Sequence, residues 1–117
     1  MKIENIEVRD IAKEFGTPVY VYSLETLRAS IAEIKKLAPV IRYAMKANSN
    51  VRILKEMLGS GIKIDAVSVF EVKRALRAGF QTDDICFTSD VFFNDDDVKF
   101  CLENNIYCNC GTLGMVE

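Results

Sequence analysis

Residues 63–79 read Lys-Ile-Asp-Ala-Val-Ser-Val-Phe-Glu-Val-Lys-Arg-Ala-Leu-Arg-Ala-Gly. Lys63 to Val67 reads as a strand and Ser68 to Ala78 as a helix that Gly79 ends. The junction is legible. Ser68-x-x-Glu71 is a capping box, in which the serine hydroxyl and the glutamate carboxylate each satisfy a backbone N–H of the first turn. A strand running straight into a capped helix is one βα unit.

The same unit recurs on both sides. Upstream, Val40 to Met45 reads as a strand. A loop over Lys46 to Ser49 then leads to a helix with Ile53, Leu54, Met57 and Leu58 inside, ended by Gly59. Downstream come a strand over Asp84 to Thr88, a helix over Asp95 to Glu103 and a strand over Ile106 to Cys110. Strands alternating with helices of about ten residues predict a parallel sheet with right-handed crossovers. Four such strands follow Pro39, whereas a closed (β/α)8 barrel needs eight and roughly 250 residues. The fold class is therefore α/β, as a small open domain or the N-terminal half of a TIM-type barrel.

Before Pro39 the pattern differs. Glu7 to Phe15 places Val8, Ile11, Ala12 and Phe15 on one helical face, and Thr17-Pro18 is a break. Val19 to Tyr22 is a short β-branched and aromatic strand. Ser23 caps a helix with Leu24, Leu27, Ile31, Ile34 and Ala38 at steps of three and four. The expected organisation is one α/β unit over 1–117: a leading helix, strand and helix over 1–38, then four barrel strands over 39–117.

Composition excludes several classes. The chain has 117 residues, a net charge of −2, half its residues hydrophobic and about a quarter charged, a globular balance with no basic stripe for nucleic acid. No apolar run approaches the roughly 20 residues that span a bilayer. The charged stretch Met1 to Asp10 lacks the apolar region of a secretory signal, so the expected compartment is the cytoplasm. Cys86, Cys101, Cys108 and Cys110 have no C-x-x-C spacing and are read as reduced, mostly buried thiols rather than metal ligands. The chain contains no histidine, which removes the commonest acid–base catalyst and any Ser-His-Asp or Cys-His nucleophile from within it.

Two places carry possible chemistry. Alternation puts Ile41, Tyr43 and Met45 on one face of the first strand after Pro39 and Arg42, Ala44 and Lys46 on the other. A lysine closing a parallel strand sits where α/β proteins hold ligands. Small Ala44 below it leaves space for a flat ring, and partial desolvation would favour the neutral amine that a Schiff base needs. From spacing alone, a lysine snorkelling out of a strand end is the commoner case. Asp65, on one face with Lys63 and Val67, needs a partner if it lies within an apolar strand. Glu71, taken alone, is first a capping residue. Asn94-Asp95-Asp96-Asp97 looks like a metal loop, but Asn94 as a helix cap with acids at the positive helix end accounts for it. Lys55, Lys73, Arg74 and Arg77 fall on polar, solvated helix faces.

With these segments in view, Tyr43-Ala44-Met45-Lys46-Ala47-Asn48-Ser49-Asn50 resembles the cofactor-lysine motif of the diaminopimelate decarboxylase family, a fold-type III pyridoxal-phosphate group. Gly16 to Tyr22, Asp65-Ala66-Val67-Ser68 with Glu71, Arg74 to Gly79 and Ile85-Cys86-Phe87-Thr88 are similar to other stretches of that family in order and spacing. The resemblance implies pyridoxal 5'-phosphate as cofactor and Lys46 as its attachment and catalytic residue. It also implies that Ala44, Asp65 and Glu71 line the cofactor site. The implied reaction converts diaminopimelate to lysine and carbon dioxide, a step of lysine biosynthesis on a small amino-acid substrate. Other fold-type III enzymes are the alternatives: ornithine, arginine or carboxynorspermidine decarboxylase, or alanine racemase. A non-catalytic half-barrel is a further one.

The chain departs from the family pattern at Phe70, where a glycine is usual, at Ser89-Asp90 and at Asn109-Cys110-Gly111-Thr112. Family members are several times longer. Their ring-stacking histidine, Gly-rich phosphate loop and acid at the pyridine nitrogen all lie later, so the chain reads as an N-terminal fragment, inactive alone. A half-barrel with Ile41 or its alternates, Val67 and Phe87 on its inner face is expected to expose apolar surface and sheet edges, and hence to self-associate as a homo-oligomer.

Overall fold

Short strands hold together only when paired, and pairing decides where the sequence pattern becomes a sheet. The computed structural model describes residues 1–88 and 94–116. The chain divides into two compact units, Met1–Leu37 and Ala38–Glu117.

In the first unit, β1 (Lys2–Ile3) and β2 (Ile6–Glu7) form a small antiparallel hairpin that the sequence pattern did not announce. α1 (Val8–Phe15) and α2 (Leu24–Ile34) follow. The Ser23 hydroxyl caps α2 by accepting from the Thr26 N–H at 3.0 Å. Glu4, in the hairpin turn, accepts from the Ser23 hydroxyl at 2.9 Å and from the Glu25 N–H at 3.1 Å. These bonds, the Glu25 backbone bond foremost, hold the Glu4 carboxyl below its usual range. The strand expected over Val19–Tyr22 does not form. Its residues are exposed, Tyr20 at 90%. β-branched and aromatic side chains favour a pleat but do not supply a partner, and neither sheet among the described residues includes them.

The second unit runs β3 (Arg42–Ala44), α3 (Val51–Gly59), β4 (Lys63–Ala66), α4 (Val69–Ala78), β5 (Ile85–Phe87), α5 (Asp95–Glu103) and β6 (Tyr107–Cys108). The sheet order is β3-β4-β5-β6, parallel throughout. The expected α/β class and the four parallel strands in chain order are therefore present, as a partial barrel. Each strand is shorter than its sequence run, because ladder bonds extend only where both neighbours are in register. Ser89 and Asp90 lie outside the described residues.

α4 packs on β4 and β5, and α3 beside α4. Ile64, Ala66, Ile85 and Phe87 on the sheet and Ile53, Leu54, Met57, Val72, Ala75 and Ala78 on the helices form the core. Gly79 closes α4 at φ 110°, which permits the turn. The Phe80 N–H then returns to the Ala75 carbonyl at 3.2 Å.

Two expectations change here. Phe87 is not on the open inner face. It pairs with Ala66 in register and is 1% exposed on the helix-covered side. Strand parity, set by where β5 enters the ladder, turns Cys86 to the open face instead. Nor are the thiols mostly buried. Only Cys101 is, with Cys86 half-buried and Cys108 and Cys110 exposed, because the latter two lie on the edge strand and beyond it. Burial pushes the Cys101 thiol up to about 12, helped by a hydrogen bond with Cys108.

Candidate active site

The face of the sheet turned away from the helices is ordered in rows. Arg42 pairs with Lys63 near the N-terminal ends of the strands. Here the Arg42 guanidinium donates to the carbonyls of Ile64 at 3.2 Å and Asp84 at 3.0 Å. The Lys63 ammonium meets the Asp84 carboxylate at 3.0 Å. This row is a satisfied polar floor that spacing in the sequence did not reveal. The next row is Ala44–Asp65–Cys86–Tyr107, four side chains from four adjacent strands. Side chains from the strands stacked in layers fill barrel interiors.

Above this row, at the C-terminal end of β3, the chain turns. Lys46 does not close the strand, as alternation implied. It lies in the single 3-10 turn Met45–Ala47 that follows, and its side chain is exposed rather than partly desolvated. The reason is local. β3 ends at Ala44, and Met45, fully buried, opens the turn. The turn packs against β4, the strand that carries Asp65.

The segment after Lys46 is pinned from several sides. The Tyr43 hydroxyl donates to the Asn48 carbonyl at 3.0 Å. The Asn48 side chain accepts from the Asn50 N–H at 2.9 Å, and Asn50 in turn caps α3 through the Arg52 N–H at 2.8 Å. Arg74 on α4 reaches the Ser49 hydroxyl. Arg74 and Lys73 are exposed, as expected for solvated helix faces, and Lys73 lies over the rings of Phe70 and Phe100.

Asp65 has the partner its position demanded. The Thr88 hydroxyl, at the end of β5, donates to its Oδ1 at 2.7 Å. Thr88 was absent from the sequence-derived site, since only strand register brings it to Asp65. Glu71 caps α4. Its N–H donates to the Ser68 hydroxyl at 3.2 Å, and its carboxylate accepts from the Val67 N–H at 2.9 Å. The carboxylate reaches one residue beyond the usual capping-box contact. Asn94 likewise caps α5 through the Asp97 N–H at 2.8 Å. The described residues hold no group of three or more metal-ligating side chains. None of their helices is long and apolar enough to cross a membrane.

An amine on a pinned turn at the C-terminal edge of a parallel sheet, beside a row holding one small residue and one carboxylate, is the geometry to set against known proteins. Residues 24–116 match the model of the pyridoxal-dependent decarboxylase family, pyridoxal binding domain. The chain belongs to that family. It is 43% identical over 108 residues to the diaminopimelate decarboxylase of Escherichia coli, covering 89% of this chain and 25% of the relative. It is 41% identical over 110 residues to the diaminopimelate decarboxylase of Streptomyces coelicolor, covering 91% and 24%. A crystal structure of a diaminopimelate decarboxylase superposes with a TM-score of 0.80 at 35% identity, covering 91% of this chain and 26% of that one. The chain spans about a quarter of the curated relatives it matches.

The residues present suit one part of the family's cofactor. Lys46 offers an exposed amine for the aldehyde, and Ala44 leaves its row open beside the Asp65 carboxylate.

Proposed function

We propose that this chain is the lysine-bearing N-terminal part of a pyridoxal 5'-phosphate-dependent decarboxylase acting on diaminopimelate, with lysine and carbon dioxide as products. The observation that carries the proposal is Lys46 on its pinned turn next to the Ala44–Asp65 row, within a family match that spans both. The substrate assignment is supported by relatives bearing that name at 35–43% identity.

Lys46 Nζ attaches the cofactor's aldehyde. Ala44, without a side chain beyond Cβ, leaves room for the ring. Asp65 places a negative charge beside the amine. Glu71 holds the start of α4, and through it the end of β4, so that Asp65 stays in place. When bound, the cofactor supplies an electron sink for the pair left on the carbon that loses its carboxylate. Lys46 Nζ, when free, would carry a proton that it could deliver to the substrate.

These 117 residues assayed by themselves are expected to release no carbon dioxide from diaminopimelate, and release at an enzyme-like rate would refute that reading. The protein functions in the cytoplasm, where its four free thiols stay reduced. It also pairs with a second copy through the sheet edges at β3 and β6. Sedimentation at micromolar concentration checks the pairing, and a concentration-independent monomer refutes it.

The central test is chemical trapping. Incubation with pyridoxal phosphate, borohydride reduction and peptide mass spectrometry should find Lys46 labelled ahead of solvated Lys55. Lys46→Arg should abolish that label without changing thermal stability. Labelling of Lys46 no greater than of Lys55 would overturn the proposal.

A further inference from the structure

We infer that Thr88 is a positioning residue of the cofactor site, acting through Asp65; the inference rests on the reading above that Lys46 attaches the cofactor. Asp65 is half-buried on the face away from the helices, in register between Ala44 and Cys86. A carboxylate there has rotational freedom about its terminal torsion, and its value beside Lys46 depends on which way its oxygens point.

Thr88 removes that freedom. Its own N–H donates to the Ala66 carbonyl at 2.8 Å, continuing the β4–β5 ladder, so its backbone is fixed. Its β-branched side chain is restricted at χ1. The hydroxyl therefore meets Oδ1 of Asp65 from a set direction, at 2.7 Å. A hydroxyl has one proton to give, and here it goes to Oδ1 of Asp65. Oδ1 of Asp65 is thereby held in place on the open face of the sheet. The strands are already joined by backbone bonds, so this side-chain bond is not needed to pair them.

The test uses the 117-residue chain and pyridoxal phosphate trapped by borohydride, with the label on Lys46 read against that on Lys55 by mass spectrometry. Thr88→Val keeps the shape and removes the donor; Thr88→Ser keeps the donor. Loss of a hydrogen bond to a charged group predicts about tenfold weaker labelling of Lys46 in Thr88→Val. Thr88→Ser should label like the parent. Asp65→Asn should fall about as far as Thr88→Val, and the double variant no further than Asp65→Asn, since Thr88 acts through that carboxylate.

A purely structural role would lower the melting temperature of Thr88→Val and leave the labelling ratio unchanged. That result, or additive losses in the double variant, overturns the inference while the Lys46 reading stands. A parent chain that labels Lys46 no better than Lys55 instead sinks the cofactor reading, and this inference with it.

Discussion

Replacing Glu71 by alanine separates its structural work from any contact it makes with a cofactor. The side chain does two things in the free protein. Its carboxylate accepts from the half-buried Val67 N–H at 2.9 Å, and its charge lies in the first turn of α4. A hydrogen bond to a charged group contributes about 1.5–3 kcal/mol. A negative charge at a helix N-terminus adds about 0.3–1 kcal/mol. Alanine returns a few tenths through its higher helix propensity. The net loss for Glu71→Ala is therefore about 2 kcal/mol. In a unit of this size that lowers the melting temperature by about 10 °C. Glu71→Gln keeps an acceptor oxygen and loses only the charge, so it should cost about 1 kcal/mol. The assay is thermal unfolding followed by far-ultraviolet circular dichroism, without pyridoxal phosphate. If Glu71→Ala melts within about 2 °C of the parent, or Glu71→Gln is as damaging as Glu71→Ala, the capping argument fails. Glu71 would then have to be explained by ligand contact alone.

Two glycines should respond in opposite directions. Gly79 has φ 110°, and a Cβ there would lie 3.2 Å from Leu58 Cδ2, so Gly79→Ala should cost about 1–2 kcal/mol in urea unfolding. Gly59, the last residue of α3 with open space for a Cβ, should be stabilised by about 0.5 kcal/mol or less on Gly59→Ala; equal effects at the two sites would contradict the backbone assignment. Because the Glu4 carboxyl is held below its usual range by bonds to Glu25 and Ser23, its support of the α2 N-terminus is present above the ordinary carboxylate value. It is lost as pH falls through the depressed value. Amide exchange at Glu25 measured down an acid series should show that loss, and Glu4→Gln should flatten it.

Periodicity and punctuation by themselves determined the α/β class, the four strands after Pro39, and the caps at Ser23, Ser68, Asn94 and Gly79. Each depends on residues close in the chain, so local physics suffices. Lys46, Ala44, Asp65 and Glu71 were legible as candidates for the same reason: motif residues a few positions apart. Tertiary structure decided the rest. β3 ended at Ala44, and Lys46 fell on the turn that follows. Ladder parity turned Phe87 inward to the helices and Cys86 outward. Register brought Thr88 to Asp65 and Asp84 to Lys63 across gaps of about twenty residues. Val19–Tyr22 had the composition of a strand but no ladder among the described residues. Composition states a preference for extended backbone, whereas a strand exists only where a neighbouring chain segment offers its hydrogen bonds, and that neighbour is chosen by the fold.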